Sequence, residues 1–130
     1  MSNEVARKLI EKKEPGRMVN ISSMAAFNIN PTSASVLYST TKSAIVRMTE
    51  SLAVEWARNH INVNAIAPGM FSSEMLDGML ERIGDVSQSL PRKRICLTEQ
   101  MDSTLLYLVS PSSECVTGTC IKIDDGQCSR

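Results

Sequence analysis

The sequence predicts an α/β fold, a parallel sheet covered by helices, on three observations. Short runs suited to buried strands recur at Arg17–Ser22, Ile61–Ala67 and Thr119–Ile123. Helical stretches separate them, so the order alternates as crossover connections require. No repeat, linker or low-complexity stretch interrupts the 130 residues, which read as a single unit, 1–130. Three parallel strands make a thin sheet, since such strands need both faces covered and usually more neighbours. The chain therefore reads as part of a larger α/β layer.

Residues 3–14 place Val5, Leu9 and Lys12 at helical spacing and stop at Pro15-Gly16. Arg17–Ser22 is an apolar run after that glycine and is expected to be a buried strand. Residues 24–35, rich in Ala, Asn, Ser and Pro, are expected to form a loop. From Val36 to Asn59 neither Gly nor Pro intervenes, which predicts one long helix. Ile61–Ala67 is the second strand, closed by Pro68-Gly69. A short helix is expected over 73–83, a polar loop over 84–94, and a further helix over 98–109, closed by Ser110-Pro111. Thr119–Ile123 is the third strand, ended by Asp124-Asp125-Gly126.

The composition removes several function classes. Fourteen basic and fourteen acidic residues give a formal charge of zero, and there are only one Trp, two Tyr and two Phe. Such a chain has no electrostatic footprint for nucleic acid or an anionic membrane. No apolar run approaches the roughly 18 residues of a membrane span, and the polar start MSNEVARKLIEKKEPGR is no secretory signal. A cytoplasmic location is the expectation. Cys96, Cys115, Cys120 and Cys128 are expected as free thiols, because their spacing fits no zinc pattern and the one histidine, His60, is distant in sequence. No metal site is expected.

Tyr38-Ser-Thr-Thr-Lys42 sets a phenol and an ammonium four residues apart at the start of the long helix. Side chains at that spacing share a face, about 5–6 Å apart at Cβ. A fixed cation beside a phenol favours its ionised form and turns it into a usable general acid or base. Alone, the pair fits equally a surface tyrosine beside a solvated lysine. Two neighbours change its meaning. Val19-Asn-Ile-Ser-Ser23 ends a predicted strand in a hydroxyl pair, and Ile61-Asn-Val-Asn-Ala-Ile-Ala-Pro68-Gly69 ends the next in a turn. Ligands of open α/β sheets bind outside the carboxyl ends of strands.

In this order, strand-Ser, Tyr-x-x-x-Lys and strand-Pro-Gly, the sequence resembles the short-chain dehydrogenase/reductase family, with a 3-oxoacyl-carrier-protein reductase flavour. The resemblance runs from the helix before Gly16 to Ile123-Asp-Asp-Gly126. It implies a Rossmann-like doubly wound parallel sheet, represented here by its last three strands and their helices. It also implies hydride transfer between a nicotinamide cofactor, NAD or NADP, and a small carbonyl or alcohol substrate. Ser23, the second of its pair, would orient the substrate oxygen. Tyr38 would exchange the proton, and Lys42 would support the phenol and hold the nicotinamide ribose. Pro68, Gly69, Phe71 and Ser73 resemble the segment that contacts the nicotinamide end. Substrate shape would depend on residues 24–35 and 70–95, where Met70, Met75, Leu76, Met79 and Leu80 suit an apolar substrate portion or the core of an amphipathic helix.

The sequence departs from the family pattern in its cofactor loop. The nearest glycines are six residues apart, so no G-x-G cradle for a pyrophosphate is present. The family's first half, with its adenine-binding loop, is expected to be missing. Residues 1–130 alone are expected not to bind NAD(P)H tightly or turn over, and to be poorly soluble or oligomeric. The segment from Ser23 to Tyr38 is slightly long, and Asp125 stands where the family often has glycine. Two readings follow: the catalytic half of an oxidoreductase, present as a fragment, or a non-catalytic truncated remnant that retains association. Family members commonly dimerise through the two corresponding helices, so a homo-oligomer would use residues 3–14 and 38–58, including Leu9, Met48, Leu52 and Trp56.

Overall fold

The structure is a computed structural model and describes residues 1–29 and 35–127. Its sheet has three parallel strands, β1 (Gly16–Ile21), β2 (Ile61–Pro68) and β3 (Cys120–Ile123), in the order β1-β2-β3. The α-helices among the described residues are α1 (Ser2–Lys12), α2 (Val36–Trp56), α3 (Glu74–Ile83) and α4 (Asp102–Val109). The α/β class and the order of elements are those the sequence predicts.

The differences lie at element ends and have local causes. α1 stops before Pro15 because Lys13 turns left-handed, φ 57°. The amides of Lys13 and Glu14 then close on the carbonyls of Ile10 and Leu9, satisfying the helix's last acceptors. The last turn expected of α2 tightens into a 3-10 turn, Ala57–Asn59, and the chain leaves through His60 at φ 55°. The helix expected at 98–109 begins as a 3-10 turn, Thr98–Met101. Within the loop expected at 24–35, Met24–Ala26 form a 3-10 turn capped by Ser23, whose hydroxyl accepts the Ala25 N–H at 3.2 Å. Residues 30–34 of that loop, and Cys128, lie outside the described residues.

β2 is the central strand, and only Asn62 and Pro68 within it are not fully buried. Its register sets Gly16 opposite Ile61 and Met18 opposite Val63. One face of the sheet is covered by α1 and α2: Ala6, Ala53, Trp56, Ile61 and Val63 form a buried cluster with Leu9, Met18 and Leu52 packed on it. Gly16 lets α1 approach, because a Cβ there would collide with the Leu9 side chain. On the same face, Asn20 Nδ2 donates to Thr49 Oγ1 at 2.9 Å, and that hydroxyl donates to the Ile45 carbonyl at 2.8 Å. α4 packs on β1, with Leu108 fully buried. Helices on both faces give the doubly wound arrangement.

Both asparagines of β2 serve the approach to β3. Asn62 Nδ2 donates to the Glu114 carbonyl at 2.7 Å. Asn64, 1% exposed, donates to the Val116 carbonyl at 2.8 Å and accepts the Thr119 N–H at 3.1 Å. A buried amide that pairs both its ends fixes the chain entering β3. The stripe expected for association divides in the same way: Trp56 is core at 6% exposure, Leu9 and Leu52 pack against that core, and Met48 stays 42% exposed. Among the described residues, no helix is long and apolar enough to cross a membrane.

Candidate active site

The carboxyl ends of the three parallel strands lie on one side of the sheet. β1 stops at Ile21 and delivers Ser22 and Ser23 there. Ser22 is buried, and its two bonds hold the local frame. Its N–H donates to the Ile66 carbonyl at 2.8 Å, and its hydroxyl to the Lys42 carbonyl at 2.8 Å. Ser23 is half-buried, and its oxygen accepts the Ala25 N–H. That bond occupies one lone pair and leaves the O–H hydrogen for a further acceptor.

α2 crosses this end of β1 and carries Tyr38 and Lys42 one turn apart. The Lys42 ammonium donates to the Ile21 carbonyl at 3.1 Å and lies 5.6 Å from the centroid of the Tyr38 ring, within cation–π reach. An ammonium has three donors, so the bond to Ile21 fixes its place without exhausting it. Ser43 adds a clamp, donating from Oγ to the Ala26 carbonyl at 3.1 Å, which ties the turn after Ser23 to α2. Tyr38 is 36% exposed. Phe27, Ile29, Val36 and Leu37 nearby in sequence are also exposed.

β2 ends at Pro68 and feeds the second group of expected residues. The Gly69 N–H donates to the Ile123 carbonyl at 2.8 Å, and the Met70 N–H to Gln127 Oε1 at 2.6 Å. Glycine is needed at 69, because a Cβ there would come within 2.9 Å of the Asp124 Cα. Phe71 is buried and bridges in parallel to Cys96. The Cys96 N–H donates to the Met70 carbonyl at 3.1 Å, and the Ser72 N–H to the Cys96 carbonyl at 2.8 Å. That pattern turns the peptide groups of Phe71 itself away from residue 96. Ser73 is the N-cap of α3, its hydroxyl accepting the Leu76 N–H at 3.2 Å. Of the apolar residues considered for substrate, Leu76 is buried and Met79 and Leu80 are half-buried, which suits the inward side of an amphipathic helix.

Sequence reasoning assigned no role to the groups that hold this second segment in place. Asp125 pairs with Arg94 through Nε at 2.7 Å and its terminal nitrogen at 3.1 Å, and with Arg92 at 3.1 Å. The hydrogen bond from Arg94 holds the Asp125 carboxyl below the usual carboxylate range, and Asp125 in turn raises Arg94. Burial pushes the Cys96 thiol up, as it does that of Cys120, so neither is activated as a nucleophile. Cys96, Cys115 and Cys120 are free thiols. No group of three or more His, Cys, Asp or Glu among the described residues could hold a metal ion. A cleft of about 290 Å³ between α1 and the end of α2, lined by Ala6, Ile10 and Trp56, contains none of the expected site residues.

Comparison with known proteins identifies the family and the fold. The family model described as enoyl-(acyl carrier protein) reductase matches residues 1–127. The 2-dehydro-3-deoxy-D-gluconate 5-dehydrogenase of Dickeya dadantii is 35% identical over 133 aligned positions, which take in all of this chain and 52% of the relative. Among solved structures, a short-chain type dehydrogenase/reductase from Mycobacterium marinum superposes with a TM-score of 0.92 at 29% identity, over 99% of this chain and 51% of that one. A 4-hydroxyisoleucine dehydrogenase complexed with NADH gives a TM-score of 0.79 at 32% identity, over 97% of this chain and 52% of the other. The chain thus spans about half the length of these relatives. Sequence match and fold agree: the chain belongs to the short-chain dehydrogenase/reductase family.

Proposed function

We propose that this chain carries the proton-transfer and nicotinamide-facing half of an oxidoreductase site, acting between NAD or NADP and a carbonyl or alcohol substrate. The observation that carries the proposal is the Lys42 ammonium, held by the Ile21 carbonyl beside the Tyr38 ring at the carboxyl end of β1. Tyr38 gives its proton to the carbonyl oxygen in reduction and takes one from the alcohol in oxidation. Lys42 supports the charge on the phenol and reaches the nicotinamide ribose with its remaining donors. Ser23 donates to the substrate oxygen, since Ser22 has its hydroxyl committed to Lys42. Pro68, Gly69, Phe71 and Ser73 face the nicotinamide end, Phe71 through its backbone.

A nicotinamide cofactor supplies or accepts the hydride when bound, and the chain's own residues bind it, orient the substrate and move the proton. Exposed Phe27, Ile29, Val36 and Leu37 favour a substrate with an apolar portion beside its carbonyl. The names of the relatives put several substrate classes in view, of which keto sugar acids and acyl thioesters are taken first.

The experiment is oxidation of NADH and NADPH by both substrate classes. It uses an enzyme in which residues 1–130 are joined to the nucleotide-binding half of a related dehydrogenase, with Tyr38→Phe as the control. Turnover that depends on Tyr38 supports the proposal, and turnover indifferent to it removes Tyr38 from the chemistry. Residues 1–130 alone are expected to show no stoichiometric cofactor binding in calorimetric titration, because the adenine and pyrophosphate lack close backbone donors in them. Micromolar binding by a soluble monomer would overturn that expectation.

A further inference from the structure

The segment Gly69–Ser72 is enclosed by two other segments, and the three brace one another. The end of β3 and the turn after it reach it directly, through the Ile123 carbonyl and the Gln127 side chain. Residue 96 reaches it from the other side, through the paired bonds to Met70 and Ser72. What closes the figure is Asp125, which grips Arg92 and Arg94 just ahead of Cys96. Arg94 and Asp125 lie 31 residues apart in sequence, so the grip is a tertiary contact and not a helix-surface pair.

Asp125 holds its place against a local preference. It sits at φ 52° and Gly126 follows at φ 79°, the pair of left-handed residues that a tight turn of mirror-image type requires. Glycine adopts that conformation most easily and aspartate tolerates it. The carboxylate is the feature that glycine could not supply. Its side chain is 12% exposed, whereas Arg92 and Arg94 are 68% and 46% exposed. The charge is therefore covered by its own partners.

We propose that Asp125 is a positioning residue: by binding Arg94 and Arg92 it straps residues 92–96 across the sheet end, so that Cys96 holds Met70–Ser72 against the nicotinamide side of the site. The importance of that segment for the cofactor rests on the reading under Proposed function. The strap itself rests only on these contacts.

The test is hydrogen exchange by mass spectrometry on the 130-residue chain, comparing peptides covering 69–73 and 95–97 with the β2 peptide 61–66. Asp125→Asn and Arg94→Glu are expected to speed exchange about three- to tenfold in the first two peptides, the range for losing a small network of surface-accessible ion pairs. The β2 peptide is expected to stay within about twofold, and Arg94→Lys to recover only part of the protection, because an ammonium keeps the charge but not the two-pronged bond. Raised salt is expected to loosen the wild type in the same two peptides, because exposed partners are screened. Unchanged exchange at 69–73, or equal acceleration of all three peptides, would overturn the proposal, the second by showing a general contribution to stability. Titration with reduced nicotinamide mononucleotide tests the underlying reading separately. Local loosening in Asp125→Asn supports the strap whether or not the nucleotide perturbs residues 69–73.

Discussion

Tyr38 and Pro68 stand at neighbouring corners of one sheet end, yet the chain secures them by different means. On the Tyr38 side, one strand and one helix do the work: the Ser22 hydroxyl donates to the Lys42 carbonyl, the Lys42 ammonium donates to the Ile21 carbonyl, and Ser43 pins the turn between them. On the Pro68 side, the segment borrows partners from residue 96 and from residues 123 and 127. A side chain carried on a helix inherits that helix's rigidity. A segment held by two separate stretches can be retuned at either of them without moving the phenol.

Four measurements would break or sharpen that contrast. The largest effect is expected from Tyr38→Phe in the joined enzyme. Turnover should fall by about two to four powers of ten, the range for loss of a positioned general acid, with cofactor affinity little changed. A parallel fall in affinity would mean that the two sides of the site are not independent. Next is Asn64→Leu, which leaves the part-buried Val116 carbonyl and Thr119 N–H without their side-chain partner. Denaturant unfolding of the chain should show a loss of about 1–3 kcal/mol, the range for an orphaned polar group.

Ser73→Ala removes the N-cap of α3 and should lower stability by about 1 kcal/mol in the same assay. If Ser73 also meets the cofactor, affinity in the joined enzyme will drop in Ser73→Gly as much as in Ser73→Ala, although glycine keeps much of the capping preference. The smallest effect is that of acid on the Asp125 strap. Its carboxyl is held below the ordinary value, so its contribution is complete above pH of about 3.9 and disappears as pH falls through the lower value it has in the fold. Exchange at residues 69–73 should therefore be steady from neutral pH down to that point and rise below it, once the intrinsic pH dependence of exchange is removed.

The same contrast explains what could be read from the sequence. Strands and helices were legible to within a few residues, because apolar runs bounded by Pro15-Gly16, Pro68-Gly69 and Ser110-Pro111 declare their own limits. The Tyr38–Lys42 pair was legible because its spacing is a property of one helix. The choice of Ser23 over Ser22 rested on the family resemblance, and the bond from the Ser22 hydroxyl to the Lys42 carbonyl could not be read from the sequence. What could not be read needed partners far apart in the chain. Asn62 and Asn64 look out of place in a buried strand until the carbonyls of residues 114 and 116 are brought beside them. Asp125 looked like a mere departure from glycine until Arg94 was placed across from it. Trp56 shared a helical stripe with Met48, and only packing distinguishes the buried residue from the exposed one.

The central position of β2 also sets an order in time. Gly16 meets Ile61 across 45 residues, and Ala65 meets Cys120 across 55, so neither edge of β2 can be closed by its sequence neighbours. During synthesis β1, α2 and β2 can assemble as soon as residue 68 is available, setting Lys42 against the Ile21 carbonyl early. The Pro68–Ser72 segment must wait until residues 119–127 have been made, because its last bonds come from Ile123 and Gln127. Until then β2 presents an open edge, the period in which a nascent chain is most exposed to pairing with the wrong strand.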